Sequence, residues 1–199
     1  MPMERDDRRF RSARPGDAQG VLEIYGPIVR DTAISFEFAV PTVEEIARRI
    51  DSTLPRFPWI VCEDASGLIG YASASTFRTR AAYDWSVESS VYVAPRAHRH
   101  GVARALYERL VAILAHQGFR IVIGGIALPN EASVALHESM GFVLNGVLPK
   151  IGRKFDRWWD LGLWRLDLPP TPDDGRAPLP FAAIAADVDQ ALVAGRLKI

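Results

Sequence analysis

The sequence predicts an α+β domain organised around a mixed sheet, and three features of the 199-residue chain support this prediction. Residues 119–127 are almost entirely apolar, as is typical of a strand that is buried on both faces. A β-prone segment, 84–93, leads through a glycine-containing turn into a segment with helical periodicity. The other elements alternate between helices and paired strands without an internal repeat, which indicates an α+β arrangement.

Two helices are predicted near the N-terminus, between a short strand at residues 9–13 and a hairpin at residues 59–73. Pro27 lies inside the first helical pattern and is expected to kink or shorten that helix. Thr42, with a glutamate three positions later, has the pattern of a capping box and predicts the start of the second helix. The first helix is indicated by apolar residues at positions i, i+3, i+4 and i+7, namely Val21, Ile24, Tyr25 and Ile28.

The central elements are a strand, a helix and a second strand. Strand 84–93 is expected to end at Pro95, because proline has no amide hydrogen to donate to a neighbouring strand. Apolar residues at helical spacing then predict a helix that begins near Val102 and ends at Gly118. The apolar strand 119–127 follows directly.

The last part of the domain is predicted to hold a short helix and two strands. Asn130 can cap the helix, and Gly141 ends it. Segments 142–147 and 157–168 are β-prone, and residues 150–154 are expected to connect them.

The composition and the boundaries indicate one soluble, cytoplasmic domain. Lys plus Arg and Asp plus Glu both number 24, so a net charge of zero gives no drive toward nucleic acid or an anionic membrane. Cys62 is the only cysteine, which excludes an internal disulfide and a Cys-rich zinc site. No signal peptide is visible, and no apolar run approaches the ~20 residues that span a bilayer. We assign residues 1–8 to an N-terminal arm, 9–168 to the domain, and 169–199 to a proline-rich linker with an appended helix.

The turn between strand 84–93 and the next helix has the composition of a phosphate site. The first amides of a helix have no partner within the helix, and the helix dipole is positive at that end. Gly101 permits close approach of a ligand to the backbone, while Arg99 and Arg104 add positive charge. The same composition also occurs at helix starts that bind nothing.

Two longer motifs resemble those of the GCN5-related N-acetyltransferase (GNAT) superfamily. Residues 98–103 resemble its acyl-CoA signature, Gln/Arg-x-x-Gly-x-Gly/Ala, with His98 at the Gln/Arg position and the accepted variant Ala103. Residues 130–142 resemble its second signature, Asn-x-x-Ala/Ser-x-x-Leu-Tyr-Glu-x-x-Gly-Phe, with His137 in place of the tyrosine.

Further motifs resemble one branch of this superfamily, the phosphinothricin and methionine sulfoximine acetyltransferases. They are Tyr83-Asp-Trp ahead of Glu88-Ser, Leu128-Pro-Asn, and Lys154 four positions before Trp158. The resemblance covers roughly residues 11–168. It implies the GNAT fold, a mixed and mostly antiparallel sheet of about six or seven strands flanked by about four helices.

The resemblance also implies a cleft for acetyl-CoA as the acetyl donor. Main-chain groups of the central strand would pair with the pantetheine arm, and the turn that follows would bind the pyrophosphate. Asn130 contacts the CoA arm in this family. The implied donor-binding residues are Val91, Tyr92, Val93, Arg99, His100, Gly101, Val102, Ala103, Arg104 and Asn130.

Acetyl transfer needs a base for the ammonium group and an acid for the departing thiolate, and it needs no metal. Glu88 matches the family's usual base, acting directly or through water. His137 stands where many relatives have the acid tyrosine; it could protonate the thiolate or orient the substrate, and Tyr92 is a competitor for the acid role. In an unrelated protein, Glu88 would be an exposed strand carboxylate and His137 an ordinary helix histidine.

The branch resemblance implies an anionic acceptor. Arg78, Arg80 and Tyr83 precede the central strand and could hold carboxylate or phosphinate oxygens, unless they are solvated loop residues. Phe36 and Lys154 are further candidates for the acceptor pocket.

The leading hypothesis is transfer of acetyl to the α-amino group of phosphinothricin, methionine sulfoximine, methionine sulfone or a similar amino acid. Two alternatives remain at this point: a protein, peptide or polyamine acetyltransferase of the same fold, or a non-catalytic acyl-CoA-binding protein. Relatives are often homodimers, so a homodimer is expected, with no nucleic acid or membrane partner.

Overall fold

The computed structural model describes residues 8–169 and 176–195, and its strands form one seven-stranded sheet in the order β1–β2–β3–β4–β5–β7–β6. The strands are β1 (Arg9–Ser12), β2 (Trp59–Asp64), β3 (Gly67–Thr76), β4 (Ser86–Val93), β5 (Ile121–Leu128), β6 (Val143–Lys154) and β7 (Arg157–Asp167). The helices are α1 (Ala18–Asp31), α2 (Val43–Thr53), α3 (Val102–Gln117), α4 (Glu131–Ser139) and α5 (Ala185–Val193). The predicted α+β fold with a mixed, mostly antiparallel sheet is confirmed.

The strands β4 and β5 form the parallel pair at the centre of this sheet, and they separate halfway along their length. They are paired from Ser86 with Ile121 to Ser89 with Gly124, and not beyond. The rest of β4 stays paired with β3, and the rest of β5 stays paired with β7. The sheet therefore opens in the middle while each strand keeps its outer neighbour.

Helices cover both faces of the sheet. On one face, α1 and α2 pack around Val21, Ile50 and Tyr71. On the other face, α3 packs around Leu106 and Leu110, together with α5 and apolar residues of the central strands. No helix in the described part of the chain is both long enough and apolar enough to cross a membrane.

Two local predictions need correction. Pro27 does not shorten helix α1, which continues to Asp31, because Pro27 lies on the exposed side of the helix, where water can solvate the carbonyl that proline leaves unpaired. The kink, which was the other predicted effect of Pro27, stays a prediction. The predicted connector 150–154 is part of β6, and the turn is formed by Phe155 and Asp156, both with positive φ (51° and 57°). Two consecutive residues with positive φ match the twist of a tight hairpin.

Residues 176–195, which we call the C-terminal extension, pack back onto the domain. Gln117 donates two hydrogen bonds from Nε2, to the carbonyls of Arg56 (3.0 Å) and Leu179 (2.7 Å). Asp189 of α5 accepts a bond from the amide of Ser12 in β1, so α5 covers that edge strand. Most of the predicted linker (170–175) and of the predicted N-terminal arm (1–7) lies outside the described residues, and the boundary at residue 168 stays a prediction.

We predict that Phe181→Ala lowers the free energy of unfolding by about 3–5 kcal/mol, because this ring from the C-terminal extension is only 1% exposed and its loss leaves a cavity. Urea denaturation measures the difference. Phe38→Ala is the matched control, since that ring is 80% exposed and its removal should change stability by about 0.5 kcal/mol or less. Equal effects of the two substitutions would show that the extension does not contribute to the core.

Candidate active site

The opening between β4 and β5 presents main-chain groups to a ligand. The amide of Ala94 donates to the carbonyl of Ile69 in β3 (2.9 Å), and alternate residues of a strand point to opposite sides. The main-chain groups of Val91 and Val93 therefore face the opening, and their binding of the pantetheine arm stays a prediction. The ring Nε2 of His98 donates to the Val93 carbonyl (3.0 Å), which leaves one lone pair of this oxygen for a ligand.

The mouth of the opening is formed by the start of α3. Gly101 stands just before the helix with φ of +77°, in the left-handed region that glycine adopts without strain. The next three amides, at residues 102–104, have no acceptor one turn earlier in the helix. The side chains of Arg99, His100 and Arg104 are exposed or half-buried around them. This geometry suits a phosphate group at a helix N-terminus.

Glu88 lies in the last paired stretch of β4, beside Ile123 of β5 and Ser75 of β3. Strand alternation directs its side chain to the face that carries α1 and α2. Its Oε1 lies so close to β5 that a methyl group at Gly125 would be 3.1 Å away. Partial burial raises the pKa of this carboxyl group, because desolvation disfavours its charged form. A raised pKa makes the carboxylate a stronger base.

His137 occupies the opposite face of the same strand. Its Nδ1 lies 2.7 Å from the carbonyl oxygen of Ser133, and its Nε2 lies 2.9 Å from the hydroxyl of Tyr107. Because a carbonyl can only accept, Nδ1 carries the hydrogen, and Nε2 accepts from Tyr107. The ring is 4% exposed, and burial lowers its pKa, which favours the neutral form. A methyl group at Gly124 would be 2.5 Å from Nε2.

Tyr107 is a candidate functional residue that the sequence reasoning missed. It is buried in α3, and its hydroxyl lies 3.2 Å from Oγ of Ser89, which is paired with Gly124 at the point where the strands separate. Ser89, Tyr107 and His137 therefore form a chain of polar groups behind the opening. One signal was present: a tyrosine within the apolar stripe of a buried helix usually has a hydrogen-bond partner.

The predicted donor residues Tyr92 and Asn130 have other contacts in this structure. Tyr92 directs its main chain toward β3, and its ring packs edge-on against Tyr25 with the centroids 5.1 Å apart. Asn130 caps α4, because its side chain accepts a hydrogen bond from the amide of Ser133 (3.2 Å). Their roles in binding the donor stay predictions.

The predicted acceptor residues Arg78, Arg80 and Tyr83 lie together on the exposed loop that joins β3 to β4. This loop begins after Thr76, one position beyond the residue that pairs with Glu88. The guanidinium of Arg78 lies 5.9 Å from the centroid of the Tyr83 ring. The two guanidinium groups are thus available at the same end of the sheet as the paired half of β4.

Phe36 and Lys154 are brought together elsewhere. The Phe36 ring lies directly over Gly152 of β6, where any side chain would overlap it. Lys154 is 3% exposed, and its ammonium donates to the carbonyls of Val29 and Ser35 (2.7 Å each). These two carbonyls engage two of the three donors of the ammonium group, and its predicted direct contact with an acceptor stays a prediction.

A pocket of about 270 Å³ lies next to these two residues. Ala127 of β5 lines this pocket. Ala127 lies two positions after Gly125, so both residues face the side of the sheet on which the Glu88 side chain lies. The pocket is lined mainly by apolar side chains, with Asp31 contributing a charge; the lining includes Asp31, Ile34, Ala127, Pro129, Phe155 and Trp159. Among the described residues, no group of three or more His, Cys, Asp or Glu side chains converges as a metal site would require.

The parallel strand pair opens beside a helix N-terminus and has a half-buried carboxylate at the point of separation, as the resemblance to the GNAT superfamily implies. A family model described as "Acetyltransferase (GNAT) domain" matches residues 10–163. The chain therefore belongs to the GNAT acetyltransferases and is an N-acetyltransferase.

Individual relatives narrow the comparison. A phosphinothricin N-acetyltransferase of Streptomyces viridochromogenes is 35% identical over 176 residues, 86% of this chain and 96% of that protein. An L-methionine sulfoximine/L-methionine sulfone acetyltransferase of Pseudomonas aeruginosa is 34% identical over 164 residues, 81% of this chain and 95% of that protein. The crystal structure of a GNAT superfamily phosphinothricin acetyltransferase from Sinorhizobium meliloti, in complex with AcCoA, superposes with a TM-score of 0.78 at 34% identity, covering 84% of this chain and 95% of that one.

We predict that Glu88→Gln stabilises the protein at pH 8 and not at pH 4. Between the ordinary pKa of 4.5 and the raised pKa of Glu88, the folded state binds more protons than the unfolded state, so stability falls as pH rises through this window. Glutamine does not titrate, so the variant does not lose this stability. Urea denaturation of the wild type and of Glu88→Gln, at pH 4 and at pH 8, measures the difference in the free energy of unfolding.

Glu23→Gln, at an exposed position of α1, is the control for the general effect of removing a carboxylate. A stability difference for Glu88→Gln that is the same at pH 4 and pH 8 would contradict the raised pKa.

Proposed function

We propose that this protein transfers acetyl from acetyl-CoA to the α-amino group of a small amino acid such as phosphinothricin or methionine sulfoximine. The observation that carries the proposal is the half-buried carboxylate of Glu88, which lies where β4 and β5 separate and has a raised pKa. The named substrates of the relatives support the acceptor class. The AcCoA complex of the Sinorhizobium meliloti structure supports the donor.

The donor would lie along the unpaired half of β4. Val91 and Val93 would bond its pantetheine arm, while the amides of residues 102–104 and the side chains of Arg99 and Arg104 would hold its pyrophosphate. The thioester then reaches the end of the paired stretch, between Glu88 on one face and His137 on the other.

Glu88 would act as the base. The acceptor enters as an ammonium ion and gives one proton to Glu88, directly or through water. The free amine then attacks the thioester carbonyl carbon, so that a C–N bond forms and the C–S bond breaks. The nitrogen loses a second proton, the thiolate takes one, and one proton is released overall. Solvent exclusion by the bound donor would strengthen Glu88 further as a base.

His137 would act through Tyr107. As a neutral ring that carries its hydrogen on Nδ1, it has no proton to give on the side that faces Tyr107. We therefore assign it the orienting role, in which it fixes the Tyr107 hydroxyl beside the departing sulfur. Tyr92 is the weaker candidate for this side of the thioester, because its ring packs against Tyr25 and Tyr71 on the other face of the sheet.

The arginines of the loop before β4 favour an anionic amino acid over a polyamine. Arg78 and Arg80 are exposed and carry two positive charges, which would repel a polyamine and attract carboxylate or phosphinate oxygens. Tyr83 can add a hydrogen bond from its hydroxyl.

A screen of free-thiol release tests the proposal, with phosphinothricin, methionine sulfoximine, methionine, a peptide N-terminus and spermidine as acceptors. We expect turnover with the amino acids. Glu88→Gln should lower kcat by about 10²–10⁴-fold because it removes the base, while calorimetry finds the affinity for acetyl-CoA unchanged. Glu23→Gln should keep full activity.

If only the peptide or only spermidine is acetylated, that compound replaces the small amino acid as the proposed class of acceptor. Turnover that survives Glu88→Gln would exclude Glu88 as the base, and the absence of any acetyl-CoA binding would refute the proposed donor.

We also propose a homodimer formed through an apolar arm, which we define as the exposed apolar side chains of β6, the following turn and β7. Within residues 8–169 and 176–195, no strand pairs with the outer side of edge strand β6, and exposed apolar edges of this length are normally covered. A second copy of the chain supplies a matching edge. The arm residues are between 41% and 60% exposed: Val143, Leu144, Val147, Leu148, Ile151, Phe155 and Trp158.

Ile151→Glu is expected to convert the dimer into a monomer, because it places a charge in the centre of the arm. Sedimentation equilibrium measures the mass. Val193→Glu, at an exposed apolar position of α5, should leave the dimer intact. A wild-type protein that sediments as a monomer would refute the homodimer.

A further inference from the structure

Lys154 connects the arm to the loop between α1 and α2. Its ammonium group is buried at the end of β6 and binds two main-chain carbonyls of another part of the chain, those of Val29 and Ser35. Burial also lowers the pKa of this lysine, so placing a charge here is unfavourable in itself. A lysine that is costly to bury, and that spans two elements distant in sequence, calls for a specific role.

The carbonyls of Val29 and Ser35 lie at the two ends of the segment that forms one wall of the 270 Å³ pocket. Residues 31–34 line the pocket, and they lie between Val29 and Ser35 in the sequence. Phe155, the neighbour of Lys154, lines the pocket from the arm. One ammonium group therefore holds both ends of the loop wall at a fixed distance from the opposite wall.

Other side chains hold the same loop just beyond that wall. The hydroxyl of Tyr25 bonds Oγ of Ser35 (2.7 Å) and donates to Glu37 (2.9 Å). Arg49 of α2 donates to both carboxylate oxygens of Glu37 (2.7 and 3.1 Å). Phe36 lies between these two anchored residues, with its ring over β6.

We propose that Lys154 is a positioning residue of the acceptor site, which holds the α1–α2 loop so that the pocket receives the apolar part of the acceptor amino acid. The inference rests on the proposed function and concerns only its acceptor half. The pocket lies on the Glu88 face of β5, whereas the donor side of the opening is formed by β4 and α3. Its mainly apolar lining suits aliphatic or thioether carbons, and the α-amino group then points toward Glu88.

Lys154→Met tests the proposal, because methionine fills a similar space without donors. We expect KM for the amino-acid acceptor to rise roughly tenfold to hundredfold, since a small displacement of a positioning group is enough for this loss. KM for acetyl-CoA should stay within twofold. Hydrogen exchange of the amides of residues 32–38 should accelerate by at least tenfold.

Gln117→Met is the matched control. Gln117 is equally buried and also donates to two main-chain carbonyls, but it does so beneath the C-terminal extension. Its loss should lower the melting temperature while both KM values stay unchanged. Gly152→Ala provides a second approach: its methyl group would displace Phe36 without touching Lys154, and it should raise the acceptor KM in the same selective way.

Unchanged acceptor KM and unchanged exchange in Lys154→Met would overturn the proposal, as would an equal rise of acceptor KM in Gln117→Met. If the wild-type protein acetylates no amino acid, the proposed function fails, and hydrogen exchange of residues 32–38 still decides whether Lys154 holds the loop.

Discussion

The separation of β4 and β5 after Ser89 and Gly124 is the constraint on which the rest of the molecule depends. A parallel pair that stops bonding halfway leaves main-chain donors and acceptors without a partner in the neighbouring strand, and such groups are costly to bury unless something else binds them, as His98 binds the Val93 carbonyl. The structure limits this cost by pairing the outer sides of both strands throughout their length. It also starts α3 next to the opening, so that free strand groups and free helix amides meet at one place. A long ligand with amides at one end and phosphates at the other satisfies both.

The separation of β4 and β5 also explains why β5 has two consecutive glycines, Gly124 and Gly125, where it leaves β4. A side chain at Gly124 would occupy the space of the His137 ring, and one at Gly125 would press on the carboxylate of Glu88. Because successive residues of a strand face opposite sides, the two positions keep space free on both faces. The candidate base and the polar chain of Tyr107 can therefore approach one thioester from opposite sides of the sheet. They need no contact with each other, although burial and, to a smaller extent, the charge of Glu88 raise the pKa of Tyr107.

Much of this could be predicted from the sequence, and what could not has a physical reason. The capping pattern at Thr42, the strand that ends before Pro95 and the turn at Gly101 depend on short-range chemistry, and the structure has each of them. The course of β6 was misjudged because Lys150 lies in a bulge, held by Asp160 of the neighbouring strand through a bond of 2.8 Å. A bulge interrupts the two-residue period on which strand prediction depends.

In the candidate site, too, features that depend on neighbouring residues could be predicted, and features that depend on distant contacts could not. Glu88 could be found from a local motif, since its position in a strand next to a known turn is a short-range property. The acceptor-binding role of Lys154 stays a prediction, and no local pattern specifies that its ammonium would bind carbonyls more than a hundred residues earlier in the chain. Tyr107 was missed for the same reason, because its partners come from β4 and α4.

The arm and the acceptor pocket share residues, and this links the two proposals. Phe155 belongs to the exposed apolar surface of the arm and also lines the pocket beside Lys154. A second subunit that covers the arm would therefore contact a wall of the acceptor pocket, while the donor opening lies several strands away from the β6 edge. Two β-strands, β5 and β7, separate the arm's edge strand from β4. It follows that assembly should tune which acceptor is bound and leave the binding of the donor to β4 and α3 of each single chain.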